Sequence, residues 1–322
     1  MQRRDFIAGL AGAAWCSLAR AQTTARHFRI GMLDTSPRPR NANFGALQEA
    51  LRERGYVEGR NLTFEYRSAD GGNERFAALA GELVRLGVDV IVTRGTPAAL
   101  AARAASTTVP VVMAAAGDPL AIARSAERPA RNMTGFGAAA RGIEAKRVAL
   151  LKELIPHVAR IAALMNLSNP SRQAEWSEIE AGARALGIEA QVLDTRTVED
   201  IGRSFDAASR LRADALMVGS DTVMQANQGL VIDLAAAHRL PAIYTFRDYV
   251  DAGGLASYGV SLPALYRQAA AYVDRILQGA KPDELPIEPP TKFELMINLR
   301  TAMALGVGVP NALHPSIDEL VQ

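Results

Sequence analysis

Small polar side chains recur in this chain at one kind of position, just after a short apolar run. Thr35-Ser36 follows Phe28–Leu33, Thr96-Pro97 follows Val88–Val92, and Asp118-Pro119 follows Val109–Ala115. Further on, Asn166 and Asn169 follow Ala159–Met165, and Ser220-Asp221-Thr222 follows Ala213–Val218. Tyr244 and Phe246 end the run that begins at Pro241. Groups of this kind hold a molecule rather than transform it. A turn that opens a helix exposes unpaired N–H groups and a partial positive charge, which suits a carboxylate. Thr96 reads as a helix N-cap with Pro97 at the first helical position, and Asp118-Pro119 repeats the device. A buried carboxylate such as Asp221 or Asp118 suits an ammonium group where water is excluded and the hydrogen bonds are complete. Tyr244 and Phe246 would cover an apolar or aromatic side chain.

Reactive constellations are missing from the sequence. The histidines, His27, His157, His238 and His314, are not paired at metal-ligand spacing. There is no G-x-S-x-G elbow, no Walker A loop and no complete G-x-G-x-x-G. Gly135-Phe136-Gly137 lacks the third glycine, and Gly219-Ser220-Asp221 has no histidine placed to serve it. The one cysteine is Cys16. No enzyme, cofactor or metal is predicted.

The elements that must position these turns repeat as strand, turn, helix. The first series runs from Phe28 to the segment Asn132–Phe136, which reads as a link leaving the first domain. The second begins with a helix at Ile143–Ile155 and continues through strands at Ala159–Met165, Ala190–Leu193, Ala213–Val218 and Pro241–Tyr244. One helix is predicted over Met224–Arg239. Strands alternating with helices imply an α/β fold of two doubly wound lobes with parallel sheets and right-handed crossovers. Ala256–Gly259, Leu262–Gly279 and Lys292–Asn298 come after the second series is complete. The simplest account returns the chain to the first lobe. Lobe 1 is then 28–135 plus about 256–292, and lobe 2 is 136–255 plus about 293–322. In an open α/β sheet ligands bind at the C-terminal strand edge, so two such edges facing each other would gather the polar turns around one cleft.

The N-terminus, MQRRDFIAGLAGAAWCSLARA, reads as an export leader over 1–21 with cleavage after Ala21, and its Arg3-Arg4 resembles a twin-arginine signal. Removing its three arginines and one aspartate leaves 33 basic and 33 acidic residues, so nothing supports a nucleic-acid partner. A periplasmic location and a monomer are expected.

Over essentially the whole mature length the chain resembles the solute-binding proteins of bacterial ABC transporters of the type I periplasmic-binding-protein fold. It is more closely similar to the branch with tryptophan- and tyrosine-binding members. The stretches that carry this are VTRGTPAALAARAASTTVPVVMAAAGDPL (92–120), LLKELIPHVARIAALMNLSNP (150–170), RLPAIYTFRDYVDAGGLASYG (239–259) and LYRQAAAYVDRILQGAKPDELPIEPPTKFELMINLRTAMALG (265–306). The resemblance implies two Rossmann-like lobes joined by a three-crossover hinge and closing over a small zwitterionic or carboxylate solute. It implies a membrane permease and an ATPase as partners. It also places Thr96, Asp118, Asn166, Ser220-Asp221 and Tyr244 where this fold lines its cleft. Two departures bear on the ligand: Ala114-Ala115-Ala116-Gly117 stands where relatives often carry a bulky apolar residue, and Met165 where they often carry an aromatic one. A ligand-sensing protein that docks to a membrane receptor would use the same fold, and that alternative stays open here.

Overall fold

The apolar runs fold into two open sheets whose central strands are buried on both faces. The computed structural model describes residues 26–38, 42–124 and 131–322; the leader and its cleavage after Ala21 lie outside these. The first sheet begins with β1 (Phe28–Asp34), α1 (Ala42–Glu53), β2 (Leu62–Ser68), α2 (Phe76–Arg85), β3 (Val90–Arg94) and α3 (Thr96–Ala105). It continues with β4 (Val111–Ala116), α4 (Pro119–Arg124) and β5 (Met133–Gly137). Alternation puts Ile30, Met32, Val90, Val92 and Val112 against α1 on one face. Leu33, Ile91, Val111 and Met113 meet α2 and α3 on the other.

The second sheet is built from α5 (Ile143–Leu154), β6 (Arg160–Met165), α6 (Arg172–Ala185), β7 (Glu189–Asp194), α7 (Val198–Arg210) and β8 (Ala215–Val218). After these come α8 (Thr222–Ala226), α9 (Gln228–Ala237), β9 (Ala242–Tyr244), α10 (Arg247–Asp251) and β10 (Ala256–Gly259). The chain then returns to the first lobe for α11 (Leu262–Leu277) and β11 (Ile287–Glu288). It ends on the second with β12 (Glu294–Asn298), α12 (Leu299–Leu305) and β13 (Glu319–Val321). Strand order is β11-β5-β4-β3-β1-β2 in one sheet and β13-β12-β10-β9-β8-β6-β7 in the other. The chain therefore passes between lobes three times, at 138–142, 260–261 and 289–293.

Three local expectations are corrected. Ala256–Gly259, expected in the first lobe, is parallel to β9 and antiparallel to β12 in the second sheet; the return begins one element later, with α11. Residues 132–136 are no link, because β5 pairs with β4 as an interior strand of the first sheet. The helix expected over Met224–Arg239 breaks at Asn227 into α8 and α9. The two parallel-sheet lobes expected are present, and β12 and β13 at one edge of the second sheet run antiparallel to its other strands. The third crossover explains this. The other parallel strands end at the cleft and the first two crossovers lead into helices. The third enters β12 directly at the cleft side, so β12 runs against its neighbour.

Candidate ligand-binding cleft

The C-terminal edges of the two sheets face each other across a cavity with about 590 Å³ of space, part of it open to solvent. That is within the usual range of small-molecule sites, about 300–1,000 Å³.

The first lobe contributes small residues and backbone. Thr35 follows β1, Gly95-Thr96-Pro97 follow β3, and Ala115, Ala116 and Gly117 close β4. The N-cap of α3 is Gly95, not Thr96: its φ of 85° is a left-handed backbone that glycine takes without a steric penalty. Thr96, moved into the helix, is free to use its hydroxyl elsewhere. It accepts from the Gly117 N–H at 3.2 Å and lies 3.2 Å from Ser171 Oγ on the opposite lobe. Gly117 has no room to spare, since a Cβ there would lie 3.0 Å from Thr96 Oγ1 and 3.1 Å from Ser171 Oγ.

The second lobe contributes a side-chain network centred on Asp221, which is 5% exposed. Asp221 Oδ1 accepts from Asn166 Nδ2 at 2.9 Å and from the Val223 N–H at 3.3 Å, capping α8. Its Oδ2 accepts from Asn169 Nδ2 at 2.9 Å. Asn169 Oδ1 in turn accepts from Ser171 Oγ at 2.9 Å. Thr96, Ser171, Asn169 and Asp221 thus form one hydrogen-bonded chain from lobe to lobe.

The sequence reading missed the charged members of the wall. Arg94, last in an otherwise uncharged buried strand, donates from Nη2 to Gln225 Oε1 at 2.8 Å across the cleft. It also lies 3.8 Å from Asp34 and 3.9 Å from Asp248, with its guanidinium over the Phe246 ring. Burial opposes the Arg94 charge, but Tyr266, Asp34 and Asp248 outweigh it and hold the guanidinium above its ordinary value. On α5 Glu144 pairs with Arg147, and on α6 Arg172 pairs with Glu175. All four line the cavity. Burial pushes the Glu175 carboxyl up to about 7, with Glu144 adding and Arg172 and Arg147 opposing. Gln225 Nε2 and Arg172 Nε are buried without a hydrogen-bond partner. The available signals were a charge closing an apolar strand and two opposite-charge pairs at three-residue spacing.

Of the residues singled out from sequence, Thr35, Thr96, Pro97, Asn169, Ser220, Asp221, Thr222 and Phe246 line the cavity. Ser36 lines an adjoining polar pocket with Asn43, Arg94 and Asp248. Asn166 stands behind Asp221. Asp118 is exposed: it accepts from the Ala121 N–H at 2.9 Å as the cap of α4 and borders an outer groove instead of the cavity. Tyr244 points away from the cleft. It is buried in the core and stacked on Tyr249 with ring centroids 4.5 Å apart. Thr245, the next residue, faces the cavity in its place, as alternation along a strand requires. Among the described residues, no group of three or more His, Cys, Asp or Glu side chains is placed to hold a metal ion. None of the helices among them is long and apolar enough to cross a membrane.

Residues 37–321 match the model of a family described as ABC transporter substrate binding protein. A tyrosine-binding protein of Clostridioides difficile is 24% identical over 259 residues, 80% of this chain and 74% of that one. The structure of a conserved domain protein from Vibrio cholerae superposes with a TM-score of 0.83 at 26% identity, covering 92% of this chain and all of the other. An ABC domain from Streptococcus pneumoniae in complex with L-Trp gives a TM-score of 0.80 at 25% identity, covering 91% of this chain and all of the other.

Proposed function

This chain belongs to the ABC transporter substrate-binding protein family, and on that premise we propose that it is an exported binding protein that captures a small, zwitterionic, amino-acid-like solute for import. Its partners are then a permease and an ATPase at the inner membrane, and its place of work is the periplasm. The observation that carries this reading is the buried Asp221 carboxylate, held by three donors in the wall opposite the start of α3. Asp221 Oδ2 accepts one hydrogen bond from the protein and has capacity for an ammonium proton. Across the cavity, Thr96 and the first turn of α3 suit a carboxylate. The relatives named for tyrosine and bound to L-Trp support the amino-acid class.

A solute held from both sides favours the closed arrangement by its differential affinity for it, so capture is a population shift through the three hinge strands. Replacing Asp221 by Ala removes the ammonium partner and leaves two asparagine amides without their acceptor. Affinity should fall well over tenfold. Calorimetry with whatever amino acid copurifies with the folded protein checks this; unchanged affinity would remove Asp221 from the site.

A further inference from the structure

The end of the cleft nearest the hinge is walled by four charged side chains that the reading above leaves without a task. Glu144 and Arg147 are paired on α5, the helix entered from the first crossover, and Arg172 and Glu175 are paired on α6, which packs against it. Each is at most 9% exposed. Arg147 Nε also donates to the Tyr258 carbonyl at 2.7 Å, just ahead of the second crossover. The cluster thus joins the cavity to two of the three hinge strands.

Its charges do not balance near neutral pH. Glu175 faces Glu144 and Arg147 from α5 and Arg172 and Glu178 from its own helix, and burial dominates, raising it to about 7. Once it is protonated, two guanidinium groups share one remaining paired carboxyl. Arg172 also keeps a buried Nε with no acceptor. An unmatched donor on a buried cation is costly unless something else supplies the acceptor. The adjoining wall is Gly117, Ala138 and Ala139, and Phe246 is the only aromatic ring among the described residues lining the cavity. An indole ring placed here would leave the arginine donor unmet, and a phenol hydroxyl would offer it only a neutral acceptor; an anionic oxygen meets both the donor and the charge.

Resting on the capture of an amino-acid-like solute, we propose that Arg147, Arg172, Glu144 and Glu175 form a subsite for a second anionic group, so that the solute is an acidic amino acid or a related dicarboxylate. A bound anion strengthens Glu175's hold on its proton, so the solute enters with one. The sign follows: above pH 7 the free protein must take up that proton on binding, and below pH 7 it already carries it. Affinity therefore rises by up to about tenfold per unit as pH falls from 8 to 7, then levels.

The test is calorimetry on ligand-stripped, full-length protein with L-aspartate, L-glutamate, their amides, L-tyrosine, succinate and glutarate, in phosphate and in Tris at pH 6 and pH 8. Expected are at least tenfold tighter binding of an acid than of its amide or of tyrosine, and proton uptake at pH 8 but not at pH 6. An amide or tyrosine binding as tightly as the acids overturns the subsite and leaves amino-acid capture intact. Binding of succinate or glutarate but of no amino acid supports the subsite and overturns the amino-acid reading. No binding by any of them overturns the subsite. Acid preference without proton uptake at pH 8 also overturns the proposal. Glu175→Gln should keep the acid preference and lose the pH dependence; persistence of that dependence removes Glu175 from the role. Should that variant not fold, the proton count of the unaltered protein decides.

Discussion

On the first lobe the turns after β1, β3 and β4 meet the cavity with Thr35, Gly95, Thr96, Ala115, Ala116 and Gly117, where fit depends on close approach of backbone. On the second, the turns after β6 and β8 meet it with Asn169, Arg172 and Asp221, each tied to another side chain. The same strand–turn–helix unit has been used once for shape and once for charge. In the first wall a substitution should act by volume, one position at a time. In the second it should act through partners, and effects at linked positions should fail to add.

Arg94 is the charged exception on the first wall and should give the largest effect. Arg94→Met removes the guanidinium 3.8 Å from fully buried Asp34 and breaks the bond to Gln225. Stability should drop by about 3 kcal/mol, read as a lower urea midpoint; a drop no larger than that of a surface substitution would show that the first wall carries no charge-dependent contact of consequence. Next comes Asn169→Ala, which strips Asp221 Oδ2 of its donor and Ser171 of its acceptor. Solute affinity should weaken by about 2 kcal/mol, and combining it with Asp221→Ala should add little. Full additivity of the two would break the account of that wall as a network. Smallest is Gly117→Ala. Its methyl group would press on both Thr96 and Ser171, so closure should be hindered at a cost of about 1 kcal/mol, seen as severalfold weaker binding with an unchanged melting temperature.

Much of the architecture was legible because its signal is local. Apolar runs of four to seven residues broken by polar turns mark the strands directly, and Thr96-Pro97 and Asp118-Pro119 do open helices. What failed depends on long-range partners. Nothing near Ala256–Gly259 tells which of two sheets it joins; that is decided by β12, which arrives later from the other lobe. Tyr244 was taken for a cleft residue because it ends a strand, but a three-residue strand gives alternation too few positions to assign a face. The charged wall escaped for a different reason. Arg94, Glu144, Arg147, Arg172 and Glu175 look like solvated surface in any composition-based reading, and only the packing of α5 on α6 and the meeting of the lobes bury them.

The late return of α11 and β11 to the first lobe has a consequence for how the protein is made. Helix α11 supplies Leu262, Tyr266, Ala269 and Val273 to the core beneath α1 and β4, and Tyr266 hydroxyl donates to Asp34 at 2.8 Å. A growing chain that has emerged from the ribosome as far as Gly137 has five of that sheet's six strands but one face covered only in part, by α1. It must hold that face open while the whole βα series of the other lobe is synthesised. The second sheet waits in turn for β12 and β13 at the very end. Neither lobe can be completed as a stretch of nascent chain ahead of the other, so the two halves of the cleft reach their final form almost together.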